Sequence, residues 1–380
     1  MPPTPPNTHN LPGVSAPVPV ARRTPLLARR YTLELRQNVS VARRATMFAL
    51  SLAAGLLVSA AILIAAGVSP ADLVDEFLVQ TFTDPENLRA VLFQAAPLIV
   101  IGIAAALAFR ARFWNLGLEG QMIFGAIGAT GIAFYHVGPP AAQLWLMLLA
   151  SLLGGLLWVA LPLLLKARLG INEIISSLML NYVASNGLLY LVYGPWQDPK
   201  DGFPHSPLFP DFALLPHLPH QVSSAIVLAA LVALAAWWFT ERSRAGLYLR
   251  FVHASESVAG ALGVPVQRML VATVLMSGAI AGMAGFVVAD GQEGRLTEAF
   301  YTGYGFSGVL IAFLARNNPL GASAVAVLVA VLFVAGRGLQ VFYQIPFSMV
   351  QLIQAILVIS VAASDFFVRH RFCPVLADEQ

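Results

Sequence analysis

Apolar residues run through this chain in long uninterrupted stretches, parted by short polar or Gly-rich segments. Charge-free runs occupy 46–67, 90–109, 121–137, 141–165, 174–194, 222–239, 269–289, 303–315, 322–336 and 347–364. A helix of about 20 apolar residues crosses a bilayer. Some of the ten runs are shorter than that, so the count carries a margin of one. The pattern predicts an all-α fold: a polytopic transmembrane helical bundle of about ten spans.

Composition agrees with the pattern. The 380 residues are 58% hydrophobic and 11% charged, against about 25% charged in soluble domains. Charge position adds an orientation. With residue 1 inside and the spans alternating, the outer segments hold only Arg89, Lys200, Arg295 and Arg337 of the 22 basic residues. Basic residues favour the cytoplasmic side, so both termini are expected inside. Residues 1–45 are Pro-rich and then Arg-rich, with Glu34 as the only acid, and read as a disordered cytoplasmic tail. The first apolar run starts too late for a signal peptide and is long enough to remain a span. The membrane domain is 46–365, with a short cytoplasmic tail at 366–380. The outer loop 195–221 carries seven prolines and cannot be helical throughout. It reads as a lid, a docking surface or a simple connector.

Spans two to five begin outside and spans seven to ten begin inside, which makes two inverted halves. Each half carries a Gly-interrupted polar break, at 115–120 and at 303–308. Paired breaks in inverted halves point to a transport path; glycines also simply let helices pack, as Gly278 and Gly282 can. Asn115 and Glu119 beside the first break favour function, because polar groups are costly at membrane depth. On span five Ser177, Asn181 and Ser185 recur every four residues above Glu173 and share one helix face. On the last span Ser348, Gln351 and Gln354, with Gln344 just ahead, share another. Such faces either bond helices together or line a path for an uncharged polar solute.

Absent motifs exclude several chemistries. A P-loop ends in Gly-Lys-Ser/Thr, but Lys166 follows Leu165 and Lys200 follows Pro199, so the chain holds no standard ATPase site. No His-Glu-x-x-His or Gly-x-Ser-x-Gly occurs, and the lone Cys373 makes no disulfide or Cys-based metal site. His136, His205, His217 and His220 fall at outer ends or in the outer loop and are expected to be solvated rather than metal-bound. No charged residue lies in the ten runs, which argues against a proton relay but not against sodium coupling. No cofactor is expected in this chain. The longest inside loop, 241–268, holds a short helix over 254–262: Ser255 caps it, Glu256 suits its positive end, and Gly263 with Pro265 stops it. An interfacial helix fits these features equally.

Four segments in order then resemble one family. The runs FWNLGLEGQMIFGA (113–126), NEIISSLMLNY (172–182), GLYLRFVHASESVAGALG (246–263) and GYGFSGVLIAFLARNNPLG (303–321) are similar to those of bacterial ABC-type nucleoside and simple-sugar importer permeases, within the ribose and branched-chain amino acid permease superfamily. The family usually has a small residue where His253 stands. The resemblance spans 46 to about 365 and omits the Pro-rich tail. It implies a transporter subunit, not an enzyme, in the bacterial inner membrane. ATP is hydrolysed by a separate cytoplasmic ATPase subunit, docked on 246–263 through Arg250, Ser255, Glu256, Ala259, Gly260 and Gly263. A second permease subunit, of a different sequence in nucleoside systems, and an extracytoplasmic substrate-binding protein complete the assembly. The substrate path implied by the two ladders and the first break runs past Asn115, Glu119, Ser177, Asn181, Ser185, Ser348, Gln351 and Gln354. A nucleoside is the first-choice cargo; a ribose-type sugar, a branched-chain amino acid or a secondary transporter are the alternatives, and a membrane enzyme lacks its acid–base pair.

Overall fold

The computed structural model describes residues 30–35, 40–200, 202–219, 222–300, 303–343 and 345–375. Fourteen helices follow in order: α1 (Val41–Ala65), α2 (Pro70–Val74), α3 (Thr81–Thr83), α4 (Pro85–Arg110), α5 (Leu118–Phe134), α6 (Pro140–Leu169), α7 (Glu173–Val192), α8 (Ala225–Arg242), α9 (Arg244–Ala254), α10 (Glu256–Ala261), α11 (Val266–Val288), α12 (Tyr304–Leu314), α13 (Pro319–Tyr343) and α14 (Phe347–Arg369). All ten predicted runs fall on helices: α1, α4 to α8, and α11 to α14. Among the described residues seven helices are long and apolar enough to cross a membrane, and three shorter apolar ones cover 118–134, 304–314 and 355–368.

Sequence signals set the helix ends. Asp84 caps α4 by accepting from the Glu86 N–H, with Pro85 in the first turn. Asn172 caps α7 by accepting from the Ile174 N–H. Gly170 closes α6 at φ 65°, after Lys166 and Arg168 in its last turn, a left-handed stop with cations at the negative helix end.

The bundle Phe48–Ala363 is one compact unit, and α4 is its axis, with 83% of its spanning stretch buried. The packing of the halves is exchanged in the way inversion requires. α4 packs on α13 as α11 packs on α6, and α5 packs on α11 as α12 packs on α4. Close approach of α5, α6 and α11 rests on glycine. A Cβ on Gly155 would stand 2.2 Å from the Gly278 carbonyl oxygen, and one on Gly282 2.2 Å from that of Ser151. The packing role read for Gly278 and Gly282 is therefore real.

Two expectations need correction, and one left open is narrowed. First, residues 30–35 lie in the tail expected to be disordered, yet they form β1 (Arg30–Leu35), antiparallel to β4 (His370–Val375) in a separate small unit. Alternating Tyr31, Leu33 and Leu35 supply the strand period that the Pro/Arg composition hides. Residues 1–29 lie outside the described residues. The outer loop, which the sequence leaves as a lid, a docking surface or a connector, packs against the bundle. Its Trp196, Phe209 and Ala213 join the main core, β2 (His217–Leu218) pairs with β3 (Val222–Ser223), and Ser206 and Phe209 donate backbone bonds to the Leu296 and Gly294 carbonyls. Second, His205, expected to be solvated, is buried, its ring 3.1 Å from the Arg295 guanidinium, whereas His136 is exposed. His217's side chain and His220 lie outside the described residues. Helix α11 also continues as a π-helical turn, Ala289–Glu293. It thereby includes one buried acidic residue, Asp290, whose Oδ2 accepts from the Leu215 N–H of the outer loop at 2.9 Å.

Candidate translocation path and coupling surface

The first Gly break joins α4 to α5 as unwound chain between residues 111 and 117. Backbone groups freed at membrane depth must find partners inside the protein, and α7 supplies them. Ser177 Oγ accepts from the Leu116 N–H at 3.2 Å, Asn181 Oδ1 from the Gly120 N–H at 2.9 Å, and Asn181 Nδ2 donates to the Leu116 carbonyl at 2.8 Å. Asn115 and Gln121 exchange reciprocal amide bonds of 3.0 and 2.8 Å, and Asn115 Oδ1 also accepts from the Gly117 N–H. The glycines are needed for contact: a Cβ on Gly117 would lie 2.9 Å from that of Ser177.

The second break meets the first. Gly303, at φ 81°, starts α12, and its N–H donates to Glu119 Oε1 at 3.0 Å. A Cβ on Gly305 would come within 2.6 Å of the Glu119 backbone nitrogen. The two breaks read separately from the sequence are thus one junction, with Glu119 bonded across it.

Asn115, Glu119, Ser177 and Asn181 are all buried, with the partners just named. Ser185 is half-buried and Ser348 is exposed. Gln351 and Gln354 fall on α14, and their side chains lie outside the described residues, as does Gln344. The ladder on α7 therefore faces its own bundle. The opposite face of α7 is exposed and was missed. It carries Met179, Tyr182, Asn186 and Tyr190, and ends at Tyr193, whose hydroxyl donates to Glu298 Oε2 at 2.7 Å. The four-residue spacing of 182, 186 and 190 is the signal that could have found this face.

At the end of the bundle predicted to be inside, the basic segments converge. Glu241 bridges Arg110 at 3.1 Å and Arg250 at 2.5 Å, and Arg110 Nε also donates to the Asn317 carbonyl. Lys166 pairs with Glu173 at 2.7 Å and lies over the Phe113 ring. On this platform sit α9 and α10. Ser243 caps α9 through the Gly246 N–H, and Ser255 caps α10 through the Val258 N–H, with Gly263 at φ 79° beyond. Leu249 packs beneath α9, while Val252, Ala259 and Val264 form a small core of their own. Ala259 consequently cannot face a partner, contrary to its place among the docking residues. Arg250, Glu256, Gly260 and Gly263 are exposed and Ser255 half so. Beside them Leu247, Phe251, Val258 and Leu262 expose apolar side chains that the sequence reading did not single out.

This is a membrane-embedded helical permease with a stiff, apolar-faced cap at one end. The chain belongs to the family described as branched-chain amino acid transport system / permease component, which matches residues 87–362. It is 34% identical to the glucose ABC transporter permease protein TsgB13 of Haloferax volcanii, over 85% of this chain and 88% of that one. It is 29% identical to the guanosine ABC transporter permease protein NupP of Bacillus subtilis, over 82% and 90%. Among solved structures it is similar to a chain of PsaBC from Streptococcus pneumoniae in complex with Fab, with TM-score 0.48, 13% identity and coverage of 78% and 95%.

Proposed function

We propose that this permease component imports a small uncharged polar solute by alternating access, driven by ATP hydrolysis on a separate chain. A nucleoside is the first choice of cargo and a simple sugar the second, in line with the guanosine and glucose named for its relatives. A second permease subunit and an extracytoplasmic binding protein complete the assembly. It sits in the cytoplasmic membrane with both termini inside and 195–221 outside. Asn115, Glu119, Ser177 and Asn181 act as positioning residues that hold the broken helices in shape. Ser185, Ser348, Gln351 and Gln354 border the path.

One observation carries the coupling step: a capped two-helix segment, braced by Glu241, presents exposed Leu247, Phe251, Val258 and Leu262 in a loop that should meet water. A clustered apolar surface of that kind marks a protein contact. A chain without a nucleotide site must receive work through contact, and α10 is short, capped and anchored by Ala259. Gly260 gives a clean test because nothing lies within 4 Å of a Cβ placed there. Gly260→Arg is therefore expected to leave insertion and assembly of this chain intact. Uptake and stimulation of ATP hydrolysis by binding protein should be lost, with the basal hydrolysis of the ATPase chain retained. Unchanged transport and stimulation in an intact complex would move the coupling surface to 110–120 or 166–173.

A further inference from the structure

The exposed face of α7 sets Tyr182, Asn186 and Tyr190 among the apolar Ile175, Met179 and Val183. Tyr182 is 63% exposed, Tyr190 73%, and Asn186 between them is exposed as well. All three lie within the spanning length of α7, and Asn186 sits about 20 Å from the helix start. The Asn186 amide donates to the Tyr182 carbonyl at 2.8 Å, which lays it along the same face as the ring four residues back. Its neighbour in sequence, α6, exposes Leu149, Leu153, Leu157 and Leu161 at the same spacing. That leucine stripe is what acyl chains ask for. The amide keeps a second N–H and its oxygen beyond that helix carbonyl, a capacity that is costly to leave against lipid, so this face suits a medium that exchanges hydrogen bonds.

We propose that Tyr182, Asn186 and Tyr190 form the wall over which the cargo passes, and that the cargo is a neutral, ring-bearing, hydrogen-bonding solute. Tyr182 and Tyr190 are about 12 Å apart along the helix axis, with Asn186 midway in sequence. Rings supply flat faces for a base or sugar, and the amide supplies a donor and an acceptor to its edge. No Asp, Glu, Lys or Arg occurs from Ile174 to Tyr193. A charged or zwitterionic cargo therefore finds no counter-charge on this wall. Ring contacts are individually weak, which suits a surface that must release what it binds. The inference rests on the importer reading for its driving force, but not for the identity of the wall.

The test uses the complete transporter in liposomes, loaded with ATP and supplied with binding protein. Radiolabelled guanosine, glucose and leucine are the probes. Uptake of guanosine or glucose is expected, and Tyr182→Ala and Tyr190→Ala should each lower it about fivefold to tenfold. Tyr182→Phe, which keeps the ring, should retain most of the uptake, and Leu153→Ala on α6 all of it. Wild-type uptake in both alanine variants overturns the proposal, as does a Phe variant as damaged as the Ala one. Leucine as the only probe carried overturns the neutral-cargo assignment. Uptake that persists without ATP yet still falls in Tyr182→Ala would sink the importer reading and leave the wall standing. ATP-driven uptake indifferent to both tyrosines would do the reverse.

Discussion

Helices α6 and α7 are consecutive spans, joined by three residues and buried to the same extent, yet each of their faces is built differently. The inner face of α6 is glycine: Gly154 and Gly155 allow its backbone to touch those of α5 and α11. The inner face of α7 is Ser177 and Asn181, which close the hydrogen bonds of the unwound 115–120 segment. Outward, α6 shows leucine, whereas α7 adds tyrosine and asparagine to Ile175, Met179 and Val183. Polarity on a span is therefore not one signal. On the inner side of α7 it repairs a broken backbone; on the outer side it meets a polar visitor.

Substitutions can break this comparison at four strengths. The largest effect is expected from Gly155→Val, whose Cβ would meet backbone atoms of Gly278 and Gly282. Backbone at both ends of the clash cannot swing away, so a loss of about 3 kcal/mol or more is expected, read as failure to assemble on size exclusion in detergent. Next is Asn181→Leu, which strands the Gly120 N–H and the Leu116 carbonyl. Each orphaned buried group costs about 1–3 kcal/mol, so the melting temperature of the purified complex should fall clearly. An unchanged melting temperature would mean the ladder is not repairing the break.

Asn186→Leu sharpens the contrast from the other side. It should leave stability within about 0.5 kcal/mol while uptake falls. A marked gain in melting temperature with normal uptake would mean that α7 faces lipid as α6 does. The smallest effect belongs to Leu157→Ala on the α6 stripe, where uptake should stay at the wild-type rate and the melting temperature should barely move.

Much of the architecture was legible in the sequence, because hydrophobic length alone fixes a span. All ten runs became helices, and the Ser255 and Gly263 signals bounded α10. The two Gly breaks were visible too, but not that Glu119 and Gly303 join them, since nothing local marks a bond across 184 positions. The Ser177–Asn181 ladder was visible as a face. Spacing tells which residues share a face and is silent about which neighbour the face meets, so packing and path stayed indistinguishable. The Tyr182 face went unread because tyrosine passes as ordinary span filling in a hydropathy pattern. The packing of the outer loop was not legible because its partners, Asp290 to Leu296, belong to a helix end far along the sequence. Ala259 looked like a docking residue because small size suits a contact surface and a small core equally.

Orientation has its own check. A cysteine at Gln197 should react with an impermeant thiol reagent from outside, and one at Glu256 should not; reversed labelling would invert both the topology and the coupling surface.

The claim on which the account turns is that α6 and α7 face different media. Two cysteines, Leu153→Cys and Asn186→Cys, each in a Cys373→Ser background, read it directly in the assembled transporter. A small water-soluble thiol reagent should modify the cysteine at 186 and not the one at 153, and guanosine or glucose with ATP should slow the reaction at 186 alone. Equal inertness at both positions, or equal reactivity indifferent to cargo, would contradict it.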